Sequence, residues 1–292
     1  MHGVGRASAA ISIVNALPTG VGCAVGIGLY ATAQVQVRPT RKLHRPTLEI
    51  PTEARSPLVE ESLRQGLERY FPSVPSDATL TLRSEIPVAK GLKSSSAVAC
   101  AVLAAVAQAA GTTVPPIETA RLAAGVAQET GVSATGALDD ALAGLSAGFV
   151  VTDNLRGTLV REGEVDPDLE VALWIPPDSH RPSPEWSPAF RARTEEGSRA
   201  VAAAKEGAWW VAMERNTELV ESVVGYDYAR LRAELRNEGA IACGVSGLGP
   251  TLAAVAPRRR IEQVLDGLPA DSGVRLRVPF CEAREVTAGG LA

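Results

Sequence analysis

Residues 87–99 read Pro87-Val88-Ala89-Lys90-Gly91-Leu92-Lys93-Ser94-Ser95-Ser96-Ala97-Val98-Ala99, and small apolar side chains continue to Ala110 without a helix breaker. This pattern predicts a loop that opens directly into a helix. Gly91 allows close backbone approach, and Ser94, Ser95 and Ser96 crowd the first turn. A helix start leaves N–H groups unpaired at the positive end of the dipole, which suits phosphate, and Lys93 adds a mobile charge there. An N-cap would account for one serine; three in succession after Gly-Leu-Lys point to anion binding. Two other phosphate motifs are excluded. A Walker A loop needs Gly-Lys-Ser/Thr, and Leu92 separates Gly91 from Lys93. In Gly20-Val21-Gly22-Cys23-Ala24-Val25-Gly26 the last glycine falls one position late for the dinucleotide fingerprint.

Two further stretches carry chemistry. Pro116 to Gln128 has helical periodicity and should end near Gly131, which places Glu129 at a helix end. Asp139 and Asp140 follow a glycine-punctuated loop. Adjacent carboxylates repel, so the pair calls for a metal, a cation or a helix N-terminus; capping of the next helix by Asp139 is the plainer alternative. Ile241 to Ala256 reads as two short strands around a loop containing Gly244, Ser246, Gly247, Gly249 and Pro250. That loop is either a simple hairpin or a phosphate cradle.

Taken together, these motifs resemble the galactokinase, homoserine kinase, mevalonate kinase and phosphomevalonate kinase (GHMP) superfamily. The family's second motif is similar to Pro87 and Gly91-Leu92-Lys93-Ser94-Ser95-Ser96-Ala97, and its third to Gly244 through Thr251. In mevalonate kinases a metal-binding glutamate stands eleven positions before the catalytic aspartate, the interval between Glu129 and Asp140 here. Ala147-Gly148 fills the place of a small closing pair if Asp140, not Asp139, is the equivalent. Archaeal-type shikimate kinases give the nearest resemblance, through Ser12-Ile13-Val14-Asn15-Ala16, the run Thr19 to Ile27, Thr135-Gly136-Ala137-Leu138-Asp139-Asp140 and Thr152-Asp153-Asn154. The Arg/Lys-Asn-Leu-x-Gly-Glu-His signature of many superfamily members is missing. Lys93 replaces the usual small residue of the second motif, and Ala147 breaks the Gly-Gly pair.

The resemblance implies a two-domain α+β GHMP-kinase fold with the active site between the domains, residues 1–160 binding ATP and residues 161–292 completing the site. It implies ATP-dependent phosphorylation of the shikimate 3-hydroxyl, a step towards chorismate and the aromatic amino acids. Asp140 would accept the hydroxyl proton. Pro87, Gly91, Leu92, Lys93, Ser94, Ser95, Ser96 and Ala97 would hold the triphosphate, and Ser95 and Glu129 would hold Mg²⁺. Asn15, Asp139, Asp153, Asn154, Gly247 and Gly249 would contact the substrate, although Asp153 and Asn154 equally suit a turn. Arg6, Lys90 and Arg181 are candidates for the carboxylate of shikimate; His44 and His180 sit in polar, Pro-containing stretches and suit surface solvation. Homoserine kinase is the competing enzyme, and a catalytically silent binding protein of the same fold is the competing non-enzyme.

Composition agrees. Of 292 residues, 46% are hydrophobic and 21% charged, enough to bury a sizeable core. A net charge of -4 offers no basic field for nucleic acid or anionic lipid, so a nucleotide must be held by local donors and a metal. The four cysteines, Cys23, Cys100, Cys243 and Cys281, are far apart and lie in apolar surroundings, as expected of reduced thiols in the cytoplasm. No signal peptide or membrane span is expected, and monomer and homodimer both remain open. Beyond the N-terminal strands and two helices, the pattern predicts a strand over 170–175, a Pro-rich loop, a long helix over 195–224, a shorter one over 228–238, the strand-loop-strand, a helix over 258–267 and a strand over 273–278.

Overall fold

The computed structural model describes residues 1–40, 46–73, 75–177, 183 and 185–282. Two antiparallel strands begin the chain, β1 (His2–Val14) and β2 (Val21–Pro39). Next come β3 (Leu48–Glu49), a short 3-10 turn, helix α1 (Pro57–Tyr70) and β4 (Ser76–Ser84). Helices α2 (Ser94–Ala109), α3 (Pro116–Glu129) and α4 (Leu138–Ala143) precede the hairpin β5 (Phe149–Asp153) and β6 (Thr158–Gly163). β2 carries β1 along one edge and, along the other, first β5 and then β4, so that its 19 residues organise a six-stranded sheet.

The second sheet begins at β7 (Leu169–Ile175). Helices α5 (Trp186–Arg191), α6 (Thr194–Glu206), α7 (Trp209–Val224) and α8 (Ala229–Asn237) come next, then β8 (Ala242–Val245), β9 (Leu252–Pro257), α9 (Ile261–Asp266) and β10 (Val274–Pro279). The sheet order is β10-β7-β9-β8, all antiparallel. The changeover between sheets falls at 163–169, where the sequence changes character. One apolar core spans both: Ile11, Val25 and Leu103 belong to the same buried cluster as Leu173, Met213 and Val255.

α2 is buried nearly all round, from Ala97 and Ala99 to Val106 and Ala109, which explains a helix with almost no polar face. It packs on β1 and β2 on one side and on α1 and α3 on the other. Three elements depart from the sequence expectation. The single helix over 195–224 is two, because Gly207 takes a left-handed conformation (φ 85°) and ends α6. β1 is three times longer than its Ile11–Val14 apolar run suggests, its alanines and glycines being strand residues buried under α2. α1 went unread, although Ser56 caps it by accepting from Val59 N–H and Pro57 stands at its first position. His44, His180 and Arg181 lie outside the described residues.

Candidate active site

The loop before α2 is built against the loop between β8 and β9. Gly91 has φ 80°, and a Cβ there would stand 2.1 Å from Ser246 O. Ser246 Oγ donates to Gly91 O (2.7 Å) and accepts from Ser12 N–H (3.2 Å), while Ser12 Oγ accepts from Gly247 N–H (3.0 Å). Three segments far apart in sequence are thereby fixed to one another, with Leu92 fully buried beneath. Lys93, at φ 63°, is the residue before the helix, and no side chain caps it. The first helical bond runs from Ala97 N–H to Lys93 O. The N–H groups of Ser94, Ser95 and Ser96 are left facing outward at the helix start, the arrangement an anion needs.

Across from them lies α4, which brings two carboxylates to the same place in opposite directions. Asp140 Oδ1 stands 3.1 Å from Lys93 Nζ, both side chains being largely buried, and it has no aligned hydrogen-bond donor. Asp139 turns the other way, towards the sheet, and is 4% exposed. Its Oδ1 accepts from Asn154 Nδ2 (2.8 Å), and Asn154 Oδ1 accepts from the Thr152 hydroxyl (2.6 Å). The Asp139 carboxylate lies against Gly22, where a Cβ would come within 2.3 Å of Oδ2; here the glycine is required by space. Burial first, and the Asp140 charge second, push the Asp139 carboxyl up to about 7, with Lys93 and the Asn154 hydrogen bond opposing.

Between α4 and the 246–250 loop is a cavity of about 380 Å³ whose lining includes Ser12, Asn15, Lys93, Thr135, Asp139, Asp140, Trp186, Gly247 and Gly249. It draws on both sheets' halves of the chain. A small polar acid and the end of a triphosphate are of the size it accommodates.

Residues 58–148 match the family model described as GHMP kinases N terminal domain. The shikimate kinase of Archaeoglobus fulgidus is 35% identical over 261 residues, covering 89% of this chain and 87% of that protein. That of Pyrococcus furiosus is 33% identical over 265 residues, covering 90% and 95%. The chain belongs to the shikimate kinase family of the GHMP kinases. Among solved structures, the Methanococcus jannaschii mevalonate kinase superposes with a TM-score of 0.71 at 12% identity, covering 97% of this chain and 99% of that one. A homoserine kinase from Cytophaga hutchinsonii gives 0.67 at 17% identity and 94% of each chain. At such identities the likeness shows a common fold.

In this shikimate kinase family member several expected site residues do come together. Asp140, Lys93, Gly91, Asp139, Asn15, Gly247 and Gly249 all line the cavity. Asn15 is held three ways: its N–H donates to Asn216 Oδ1 (2.8 Å), its Oδ1 accepts from Leu17 N–H (2.9 Å), and its Nδ2 reaches Gly247 O (3.5 Å). Pro87, Ser94, Ser95, Ser96 and Ala97 form the loop and first turn beside it.

Other residues are placed differently from the sequence expectation. Lys93 faces a carboxylate, so its charge acts at Asp140 as well as on any phosphate. Gly247 N–H is spent on Ser12 Oγ and Gly249 N–H on Ser246 O, so these two groups of the third-motif loop already have partners within the protein. Asn154 does not reach the cavity because its amide holds Asp139. Asp153 shapes the hairpin turn, accepting from Leu155 and Arg156 N–H and pairing with the Arg156 guanidinium at 3.0 Å. Asp139 is no helix cap; the residue before α4 is Ala137, at φ 51°, with no side-chain cap bond. Glu129 is exposed, accepts from Gln65 Nε2 of α1 (2.6 Å) and lies outside the cavity lining. Lys90 Nζ donates to Pro176 O and Pro177 O, and the Arg6 guanidinium stacks on Tyr30, so neither lines the cavity.

Ser12, Ser246, Thr152 and Asn216 went unassigned in the sequence. The first three stand inside recognisable motifs, and for Ser246 a small hydroxyl among glycines is the available signal. Asn216 sits mid-helix in α7 and offers none.

Proposed function

We propose that this chain transfers the γ-phosphoryl group of ATP to the 3-hydroxyl of shikimate. The observation that carries the reading is the Lys93–Asp140 pair, which lines one cavity at the uncapped start of α2, in a chain whose relatives are named shikimate kinases over about nine-tenths of its length. Phosphoryl transfer asks the protein for positioning and charge neutralisation more than covalent work. The N–H groups at the start of α2 bind the phosphate oxygens. Lys93 Nζ offsets charge on the transferring group and pairs with Asp140 Oδ1 at 3.1 Å. The Asp140 carboxylate, whose Oδ1 faces Lys93 Nζ, accepts the proton of the attacking hydroxyl. Asn15 and Ser12 line the acceptor side, and Trp186 covers the cavity from the other half of the chain.

The family implies Mg²⁺, and the oxygens present suit a hard cation: the Ser95 hydroxyl in the first turn of α2, with the phosphates themselves. Among the described residues no three His, Cys, Asp or Glu gather into a closed metal cage, and Mg²⁺ requires none, since it keeps water and phosphate oxygens in its shell. When bound it would supply positive charge to offset that of the phosphates. Glu129 stands three residues before the cavity-lining Val132, and its part in holding the metal requires its carboxylate to leave Gln65. The same reading places the protein in the cytoplasm, where ATP is found and four buried free thiols stay reduced; among the described residues no helix is long and apolar enough to cross a membrane. An ADP-release assay over shikimate, homoserine and mevalonate tests the reading. ADP release with homoserine or mevalonate and none with shikimate would overturn it.

A further inference from the structure

We propose that Thr152 and Asn154 are positioning residues for the transfer: with Asp139 they tie the start of α4, and therefore Asp140, to the six-stranded sheet. α4 is six residues long, has no side-chain cap and starts from a left-handed alanine. A helix so short does not hold its own place, and a left-handed alanine adds strain at its start. Some contact must fix its angle. Asp140 follows Asp139 directly, so fixing one carboxylate on the sheet aims the next into the cavity.

The tie is rigid at its sheet end. Thr152 is fully buried in β5 opposite Gly22 of β2. Asn154 is held by its own N–H, which donates to Gly20 O (2.9 Å), and by its Oδ1, which accepts from Thr152 (2.6 Å). The ionised Asp139 carboxylate can only accept, so the amide turns its NH₂ to α4, and the Thr152 hydroxyl holds that orientation by donating to the amide oxygen. The charged or titratable groups facing Asp139 are Asp140 on α4, Lys93 before α2 and Cys23 on β2. None gives Asp139 a better partner than Asn154, and a carboxyl buried beside another is a burden on the fold. Its presence is explained by what it positions.

This inference rests on the kinase reading, so its test has two readouts. Thr152→Val keeps the side-chain shape and removes the orienting hydroxyl; Thr152→Ser restores it; Asn154→Ala removes the tie. With shikimate and Mg-ATP, kcat falls about 10- to 100-fold in Thr152→Val and Asn154→Ala while both KM values hold within about twofold, and Thr152→Ser recovers most of the rate. The acid limb of the rate profile moves to higher pH in the first two, since loss of the Asn154 donor disfavours ionised Asp139. Independently of any acceptor, amide exchange across 138–143 quickens in Thr152→Val and not in Thr152→Ser. Unchanged kcat and exchange in Thr152→Val overturn the inference, as does a raised acceptor KM at constant kcat in Asn154→Ala, which would make Asn154 a substrate contact. A Thr152→Ser as slow as Thr152→Val would do so too. A wild type that phosphorylates homoserine and not shikimate overturns the function alone, the exchange experiment still deciding the tie.

Discussion

Asp139→Asn should make the protein more stable at neutral pH, and by an amount that depends on pH. The native carboxyl titrates near 7 against an ordinary value of 3.8, because it is buried and faces Asp140. A folded-state value above the unfolded one means the native state binds the proton more tightly. The stability this lends is fully present below about pH 4 and is lost as pH rises towards about 7. The gap of roughly 3 pH units at 1.36 kcal/mol per unit sets the loss on the order of 4 kcal/mol. Asparagine removes the titration and still offers an oxygen to Asn154 Nδ2, so the variant escapes the loss. At about 0.6 kcal/mol per kelvin for a chain of this length, the difference is about 6 to 7 °C in Tm at pH 8, shrinking towards zero at pH 4. Thermal or urea unfolding of both proteins at half-unit steps from pH 4 to 8.5 measures it. Parallel pH dependences, or a variant less stable at pH 8, would show that Asp139 is not the strained buried acid described above.

Asp140→Asn should lower kcat by about 10²- to 10⁴-fold, roughly 3 to 5 kcal/mol of barrier, at saturating shikimate and Mg-ATP, with a thermal melt showing that the variant is folded at the assay temperature. A larger loss in Asp139→Asn would exchange the two roles. Lys93→Met should lower kcat, because the transferring phosphoryl group and Asp140 both lose the cation, which lies 3.1 Å from Asp140 Oδ1; a raised KM for ATP at unchanged kcat would assign Lys93 to phosphate binding alone. Glu129→Gln should raise the Mg²⁺ concentration giving half-maximal rate; an unchanged titration would leave Glu129 as no more than the partner of Gln65 on α1.

The sequence carries the phosphate-loop helix well because its signals are local. Gly91, the serines and the breaker-free run to Ala110 each report on backbone next to them, and α2 forms there. The Asp-Asp pair was legible as chemistry, yet not as geometry. Nothing in Leu138-Asp139-Asp140 says that one carboxylate turns to the sheet and its neighbour to Lys93; that division depends on Gly22 and Asn154, which pairing of β2 with β5 brings alongside. The third-motif loop is rich in donors, but Gly247 N–H is taken by Ser12 Oγ, 235 residues away in sequence, and Gly249 N–H by Ser246 O within the loop itself. The Glu129–Asp140 spacing fixes distance along the chain, while the Glu129 side chain answers to Gln65 on α1, which lies 64 residues away in sequence. The split at Gly207 was open to inspection, since a glycine inside a helical pattern is a candidate end.

The most direct test of the central claim is the identity of the phosphorylated product. The protein is incubated with ATP, Mg²⁺ and an equimolar mixture of shikimate, homoserine and mevalonate, and phosphorus NMR follows the new monoester. A single resonance coupled to the ring proton at C3 of shikimate is predicted, formed as ADP accumulates in equal amount. A monoester on homoserine or mevalonate with shikimate untouched would contradict the account.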